Sequence, residues 1–263
     1  MKKILALLLA AMMVFALCAC GGSDSSSPAG DLDAVKAAGK LVVGITDFEP
    51  MDYQNADGEW VGFDADLAAL FAESLGVDVE FIEIDWDNKI LELNNKSIDC
   101  IWNGMTLTDE VTAAASCSKP YMRNAQVIVI PAADADQYAD VESMSGLTFA
   151  VEAGSAGEAA VAELGYTATP VSTQANALME VAADTSDAAV IDLLMAYAMT
   201  GEGTGYADLT YTFSLNEEEY GVAFRQGSDL TDALNSYFAA AYADGTMDSL
   251  AETYGLAGSV IAQ

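Results

Sequence analysis

The feature that most constrains the fold is an alternation of strand-like and helix-like segments that occurs twice along the chain. In the first round, runs rich in β-branched residues at 41–46, 77–84 and 98–102 are separated by segments with helical spacing at 64–76 and 88–97. Strands that alternate with helices of this length are typical of α/β sheets with parallel strands. The first round therefore predicts one sheet flanked by helices.

A second round repeats the same order. Strand-like runs at 147–151, 166–171 and 187–191 are separated by helical segments at 157–165 and 174–184. In both rounds a helix, a short polar turn and an aspartate lead into the last strand. Two rounds of this kind predict two α/β lobes of similar build.

The last part of the chain, 228–254, has a helical pattern and no strand of its own to cover. We expect it to pack on the first sheet, with 211–224 carrying the chain back. Two crossings between the lobes, near 123–127 and 209–217, would then form a hinge. A cleft between such lobes collects the C-terminal ends of their strands, where small-molecule sites usually lie.

The N-terminus predicts export. Lys2 and Lys3 precede an apolar run at 4–19 that is short for a membrane span, and 17–20 resembles a bacterial lipobox ending at Cys20. Cys18 is a weaker rival for lipidation, and an uncleaved anchor is the alternative interpretation. We predict a signal peptide at 1–20, lipid and palmitate on Cys20, and a Gly/Ser tether at 21–30. The protein would then be a lipoprotein on the extracellular face of the cell membrane.

The charge and the missing histidine exclude several functions. The chain has 41 acidic and 9 basic residues, which disfavours binding to nucleic acid or to anionic lipid. It has no histidine, which removes Ser-His-Asp and Cys-His catalysis and the HExxH zinc site. The acids at 83–87 are interpreted as a solvated loop, and no metal or cofactor is predicted. Cys100 and Cys117 read as small buried thiols, although a disulfide would be compatible with secretion.

Several residues lie at predicted strand ends, where sites collect. Phe48 and Trp86 follow the first two strands. Asp192 ends a later strand, where an aspartate either binds a cation or caps the next turn. The segment 154–158 follows a strand and opens a helix, so it is either an anion site or an ordinary N-cap. The Gly-rich segment 201–206 follows a helix and is interpreted as a flexible loop.

Taken together, these stretches resemble a known family. The matching segments are LVVGITDFEPMDYQNADGEWVGFDADLAALFAESLGV, IDWDNKILELNNKSIDCIWNGMTLTDE, SKPYM, AQVIVI, VEAGSAGEAA, DAAVIDLLMAY, EEYGVAFRQGSDL and ADGTMDSLAETYG. In this order they resemble the bacterial extracellular solute-binding proteins of family 3, the polar-amino-acid type, which serve ABC importers.

The resemblance implies a type II periplasmic-binding-protein fold of the Venus-flytrap kind, with two α/β lobes joined by a two-stranded hinge. Lobe 1 would comprise 31–124 and 213–263, and lobe 2 would comprise 125–212. The resemblance implies that this protein is not an enzyme. It would be a monomer without a cofactor that closes on a small solute and delivers it to an ABC permease with its ATPase.

The family's pocket can be placed on this sequence by position. In the first lobe, the aromatic walls fall on Phe48 and Trp86, and the strand end that binds an amino group falls on Asn103, Gly104 and Thr106. In the second lobe, the wall falls on Glu152, the helix N-terminus on Ser155 and Ala156, and the carboxylate for the α-amino group on Asp192.

Two positions depart from the family pattern. Val111 stands where the family has an arginine that grips the ligand's α-carboxylate, and Ala156 stands where Ser or Thr is usual. Arg123 is the substitute cation that we expect, with Lys119 as the alternative. The ligand would then be either an amino acid or a cationic amine that lacks a carboxylate.

Two other functions remain open at this stage. Some dehydratases contain domains of this family, and Glu152 with Asp192 would be the acid/base pair of such an enzyme. The other alternative is a module that has lost its small ligand and acts as a sensor or adhesion surface.

Overall fold

A computed structural model describes residues 30–138 and 140–263. The predicted signal peptide, Cys20 and all of the predicted tether except Gly30 lie outside the described residues. Within those residues, no helix has the length and apolar character needed to cross a membrane.

The first sheet is built mainly from the first round of the sequence pattern. Its strands are β1 (Lys40–Ile45), β4 (Asp78–Glu83), β5 (Cys100–Thr106), β6 (Ser116–Cys117), β7 (Met122–Asn124) and β13 (Glu218–Phe224). They run in the order β4-β1-β5-β13-β6, with β7 also paired to β13. Strands β4, β1 and β5 are parallel, and β13 is antiparallel to β5.

Helices from both ends of the described chain cover this sheet, and a short hairpin and a 3₁₀ turn stand at its edge. As expected, the C-terminal segment packs here: the rings of Phe238 and Trp102 meet edge to face, with centroids 5.6 Å apart. The helices are α1 (Asp31–Ala38), α2 (Phe63–Leu75), α3 (Lys89–Asn94), α4 (Asp109–Ala114), α8 (Leu230–Ala243) and α9 (Thr246–Thr253); the hairpin is β2 (Tyr53–Gln54) with β3 (Trp60–Val61), and the turn is Trp86–Asn88.

The second sheet has the order β10-β9-β11-β8-β12. Strands β9, β10 and β11 are parallel, and β8 pairs antiparallel with β11 and β12. Its elements are β8 (Gln126–Pro131), β9 (Thr148–Glu152), β10 (Thr167–Val171), β11 (Ala188–Asp192), β12 (Leu209–Ser214), α5 (Ala156–Glu163), α6 (Gln174–Ala182) and α7 (Leu193–Met199), with 3₁₀ turns at Ala132–Gln137 and Glu142–Met144.

The chain crosses between the sheets twice, and the crossings lie side by side. The first joins β7 to β8, and the second joins β12 to β13. Gln126 N–H donates to Asn216 Oδ1 at 2.8 Å, and Leu215 N–H donates to the Gln126 carbonyl at 2.7 Å. These paired crossings form the hinge, which allows two lobes to move as rigid bodies.

The buried strands explain why both sheets form. Strands β1, β5, β8 and β11 consist mostly of buried apolar residues, which is typical of inner strands that are covered on both faces of the sheet. Cys100 is buried in this core, Cys117 is half-buried, and both are free thiols, so the disulfide that the sequence left open is not formed.

Candidate ligand-binding site between the lobes

The end of β5 is tied down by the loop after β1. Asn103 is buried, its Oδ1 accepts a hydrogen bond from Thr46 N–H, and its Nδ2 donates to Asp52 Oδ2 at 3.1 Å. These hydrogen bonds hold the Asn103 side chain inside lobe 1.

Gly104 occupies a position where a side chain would be strained and crowded. Its φ is +52°, and a Cβ there would lie 2.5 Å from Cε1 of Phe48 and 3.1 Å from Cε2 of Tyr220. Phe48 is buried over this glycine and meets Tyr220 edge to face, with centroids 6.3 Å apart. The predicted aromatic wall and the predicted strand end are thus in direct contact.

Two buried carboxyl groups support this strand end, and sequence reasoning missed them. Asp64 accepts hydrogen bonds from Gly104 N–H at 2.6 Å and from Tyr121 O–H at 2.7 Å. Burial raises the pKa of Asp64 to about 7, although these hydrogen bonds lower it. The pKa of Asp52 is also raised, by burial and by the nearby charge of Asp64. In the sequence, Asp64 looks like an ordinary acid in the first turn of a helix, which is why it gave no signal.

Trp86 lies in the 3₁₀ turn that follows β4. Its ring is nearly buried and packs in a secondary core of lobe 1 that includes Val111 and Leu93. The ammonium nitrogen of Lys89 lies 4.9 Å from the ring centroid, within range of a cation–π interaction.

Lys89 lies where the two lobes meet, and the sequence did not single it out. Its Nζ donates to the Trp86 carbonyl at 3.2 Å and to the Gly154 carbonyl, in lobe 2, at 2.8 Å. Burial lowers the pKa of Lys89, while the charges of Glu152, Glu110 and Asp87 act in the opposite direction. In the sequence it reads as one more polar residue of a short helix, because nothing local marks a lysine that reaches across a cleft.

Glu152 ends β9 on the opposite side of the cleft and is 2% exposed. Burial raises its pKa to about 8, although the charge of Lys89 and the Thr46 hydroxyl both lower it. Its Oε1 has no hydrogen-bond partner among the described residues. A buried oxygen without a partner is costly, and it is often part of a functional site.

The lobes touch beside Glu152. Gly154 has a φ of +70°, and a Cβ there would lie 2.7 Å from Cα of Asp87 in lobe 1. The backbone of lobe 2 therefore approaches the backbone of lobe 1 as closely as a glycine permits, and the cleft is closed.

Ser155 begins helix α5 as its N-cap. Its Oγ accepts from Glu158 N–H at 3.1 Å, and Glu158 Oε2 accepts from Gly154 N–H at 2.8 Å. The structure shows that Ser155 acts as an N-cap, one of the two roles expected for this segment. Its hydroxyl accepts the capping hydrogen bond and can still donate one of its own.

Asp192 is surrounded by donors from the hinge and from both lobes. It accepts hydrogen bonds from Tyr220 O–H at 2.6 Å, from Gln126 Nε2 at 3.1 Å, and from the side-chain amides of Asn124 and Gln174. Burial and the charge of Glu218 raise the pKa of Asp192. It does not cap the helix that follows. In this closed arrangement its carboxylate binds the hinge, and a ligand amine would compete with these donors for it.

A cavity of about 1060 Å³ lies beside the hinge and brings together three of the predicted residues, Thr106, Ala156 and Arg123. The Thr106 hydroxyl donates to Glu218 Oε1 at 2.9 Å. Arg123 is exposed, whereas Val111 is buried in the secondary core of lobe 1. Lys119 is exposed and does not line this cavity.

The comparisons with known proteins agree with this architecture. The family model for bacterial extracellular solute-binding proteins, family 3, matches residues 41–257. The chain belongs to this family. The arginine-binding extracellular protein ArtP of Bacillus subtilis (strain 168) is 31% identical to it over 241 residues, which cover 89% of this chain and 91% of ArtP.

The solved structures of the family show the same two-lobed fold. Holo ArgBP from T. maritima matches with a TM-score of 0.75 at 32% identity, over 85% of this chain and 99% of that protein. The predicted type II fold is thereby confirmed. A cyclohexadienyl dehydratase from Pseudomonas aeruginosa also matches, at 28% identity over 130 residues, about half of each chain.

Proposed function

We propose that this protein is the substrate-binding lipoprotein of an ABC importer and that it binds one small amino-bearing solute between its two lobes. The observation that carries the proposal is the closed contact between strand ends of the two lobes. Lys89 of lobe 1, which lies over the Trp86 ring, donates to the Gly154 carbonyl of lobe 2, and Oε1 of Glu152, two residues before Gly154, is buried without a partner. Closure around a solute is how such a cleft gains contacts that the open form lacks.

The proposed contact residues are those placed by the family pattern. Phe48 and Trp86 are the apolar walls, and Asn103, Gly104 and Thr106 form the strand end that faces the amino group. From lobe 2 come Glu152, Ser155, Ala156 and Asp192. The relatives support an amino acid as the solute, because ArtP is named for binding arginine.

The anchor and the partners belong to the same proposal. Lipid on Cys20 would hold the protein at the extracellular face of the membrane, and 21–30 would tether it. A permease with its ATPase would receive the solute from a monomer of this protein. The family assignment supports this role, since its members are extracellular solute-binding proteins.

Calorimetric titration tests the proposal. Protein stripped of ligand by unfolding and refolding is titrated with the twenty L-amino acids, L-cystine and a set of primary amines and polyamines. We expect one chemically related group to bind with a 1:1 stoichiometry. Binding by amines alone would show that the solute is a cationic amine without a carboxylate. No binding by any compound would contradict the proposed function.

A dehydratase-like enzyme is the second candidate. One observation favours it: the pKa of Glu152, raised to about 8 by burial, suits a general acid or base near neutral pH. The match to a dehydratase of this fold supports the same reading. Turnover of prephenate-like substrates that is lost in Glu152→Gln would establish it. Ligand binding without turnover would leave the protein a non-enzymatic receptor, as we propose.

A further inference from the structure

The cleft must neutralise a carboxylate if its solute is an amino acid. The position that carries the family's arginine is Val111, an uncharged and buried side chain. Arg123 is exposed, and Arg225 is paired with Asp31 and Asp99 in lobe 1. Among the described residues, Lys89 is the basic side chain that is buried, with 9% exposed, and it lies between the lobes.

The hydrogen bonds of Lys89 leave one donor for a ligand. An ammonium group has three N–H donors. Two point to the carbonyls of Trp86 and Gly154, and the third has no acceptor among the described residues. The tryptophan ring under the ammonium group fixes its position, because the cation–π contact and the Trp86 carbonyl act on the same nitrogen.

Glu152 supplies the complementary group. Its Oε1 is buried without a partner, and Glu152 lies two residues before Gly154, whose carbonyl accepts a hydrogen bond from Lys89. The two groups do not form a direct ion pair among the described residues, where the salt bridges are confined to Lys40 and Arg225. A buried cation with a spare donor and a buried acid with a spare acceptor fit a solute that carries both charges.

We propose that Lys89 provides the positive charge that Val111 lacks: its ammonium group binds the solute carboxylate, and Glu152 Oε1 accepts a hydrogen bond from the solute ammonium group. The inference rests on the proposed function and narrows it. The site would select amino-acid zwitterions over the corresponding amines and carboxamides. It also replaces Arg123, which the sequence suggested as the substitute cation, with a residue of the closed cleft.

The inference links recognition to closure. The Gly154 carbonyl holds Lys89 only when the lobes are together, because glycine and lysine belong to different lobes. A solute held by Lys89 of lobe 1 and by Glu152 of lobe 2 would therefore stabilise the closed state, because only that state brings both groups to the solute.

The test compares matched ligands on matched variants. Wild type, Lys89→Met, Lys89→Arg and Arg123→Met are titrated by calorimetry with the twenty L-amino acids and L-cystine, each beside its α-carboxamide. We expect the wild type to bind at least one free acid and to bind its carboxamide roughly 30-fold or more weakly, which is the usual loss for a buried charged partner. Lys89→Met should lose the acid by a similar factor and abolish the preference over the carboxamide. Arg123→Met should bind like the wild type.

The outcomes separate the two proposals. If the wild type binds an acid and its carboxamide equally well, or if Arg123→Met rather than Lys89→Met removes the preference, the assignment of Lys89 is wrong while the receptor function stands. If no compound of the panel binds, both fail. Should Lys89→Met not fold, the wild-type comparison and Arg123→Met still decide, because the assignment of Lys89 fails if the wild type shows no preference for the acid or if Arg123→Met removes that preference.

Discussion

Gly154 shows how a single residue couples the two lobes. Its φ of +70° would strain an alanine, and the Cβ would in addition collide with Cα of Asp87 in the closed state. Gly165 has the same strain, with a φ of +71°, but no atom lies within 4 Å of its Cβ position. The pair therefore separates backbone strain from the contact between lobes.

We predict that Gly154→Ala and Gly165→Ala lose similar free energies of unfolding, about 1–2 kcal/mol each from the left-handed backbone. Only Gly154→Ala should also weaken ligand binding, because its collision exists only when the cleft is closed. Thermal unfolding and calorimetric titration of both variants check this. Equal ligand affinities would show that the closed contact at Gly154 is not part of the bound state.

Glu152 makes a prediction about pH. Its folded pKa of about 8 lies above the ordinary value of 4.5, so between these values the folded protein holds a proton that the unfolded chain has lost. Its contribution to stability is full below about pH 4.5, declines as the pH rises and is lost through pH 8. Each such proton changes the free energy of unfolding by about 1.4 kcal/mol per pH unit.

Glu152→Gln should therefore flatten the fall in stability of the ligand-stripped protein between pH 5 and pH 8.5. Chemical denaturation at several pH values measures the slope, and Glu163→Gln, on the exposed face of α5, is the matched control. The control should keep the slope of the wild type. An identical slope in Glu152→Gln would mean that Glu152 is ionised in the folded protein throughout this range.

At the scale of elements, helix α5 begins at the cleft with a cap that serves the fold. Ser155→Ala should lower the free energy of unfolding by about 1 kcal/mol, as expected for the loss of an N-cap side chain. Thr173→Ala removes the equivalent bond, from Asn176 N–H to the N-cap of α6. Denaturation of both variants should give similar losses of the free energy of unfolding.

Ligand titration of the same variants tests a second role of Ser155. A larger loss of ligand affinity in Ser155→Ala alone would show that the Ser155 hydroxyl also donates to the solute, and equal affinities would show that it does not.

The elements themselves were largely predictable from the sequence. The double alternation of strands and helices predicted both sheets, and the strandless C-terminal helices were expected on the first one, where Phe238 packs on Trp102. These features depend on local periodicity, which each segment carries in its own residues.

The details of the site were less predictable, because they depend on contacts between distant residues. Lys89 is 65 residues from Gly154, and Asp64 is 40 residues from Gly104, and neither pair has a local pattern. The family pattern placed Asp192 at the cleft, yet it could not show that Asn124, Gln126, Gln174 and Tyr220 already donate to its carboxylate. The bounds of the two lobes and the ligand contacts stay predictions.

At the scale of the whole molecule, the hinge and the cleft share one polar network. Glu218 at the start of β13 accepts hydrogen bonds from Thr106, Asn124 and Gln126, and the last two also donate to Asp192. The network thus joins the end of β5, both crossings and the end of β11. A solute amine that competes for Asp192 would act directly on the groups around which the lobes turn, which couples binding to closure.

Small-angle X-ray scattering tests the central claim that the two lobes close around one small solute. The radius of gyration is measured on ligand-stripped protein, before and after addition of a saturating mixture of the twenty L-amino acids and L-cystine. We expect the radius to fall on addition to the value calculated from the closed structure, and Gly154→Ala to show a smaller change. A radius that is unchanged by the mixture, in protein that also gives no heat of binding, would contradict it.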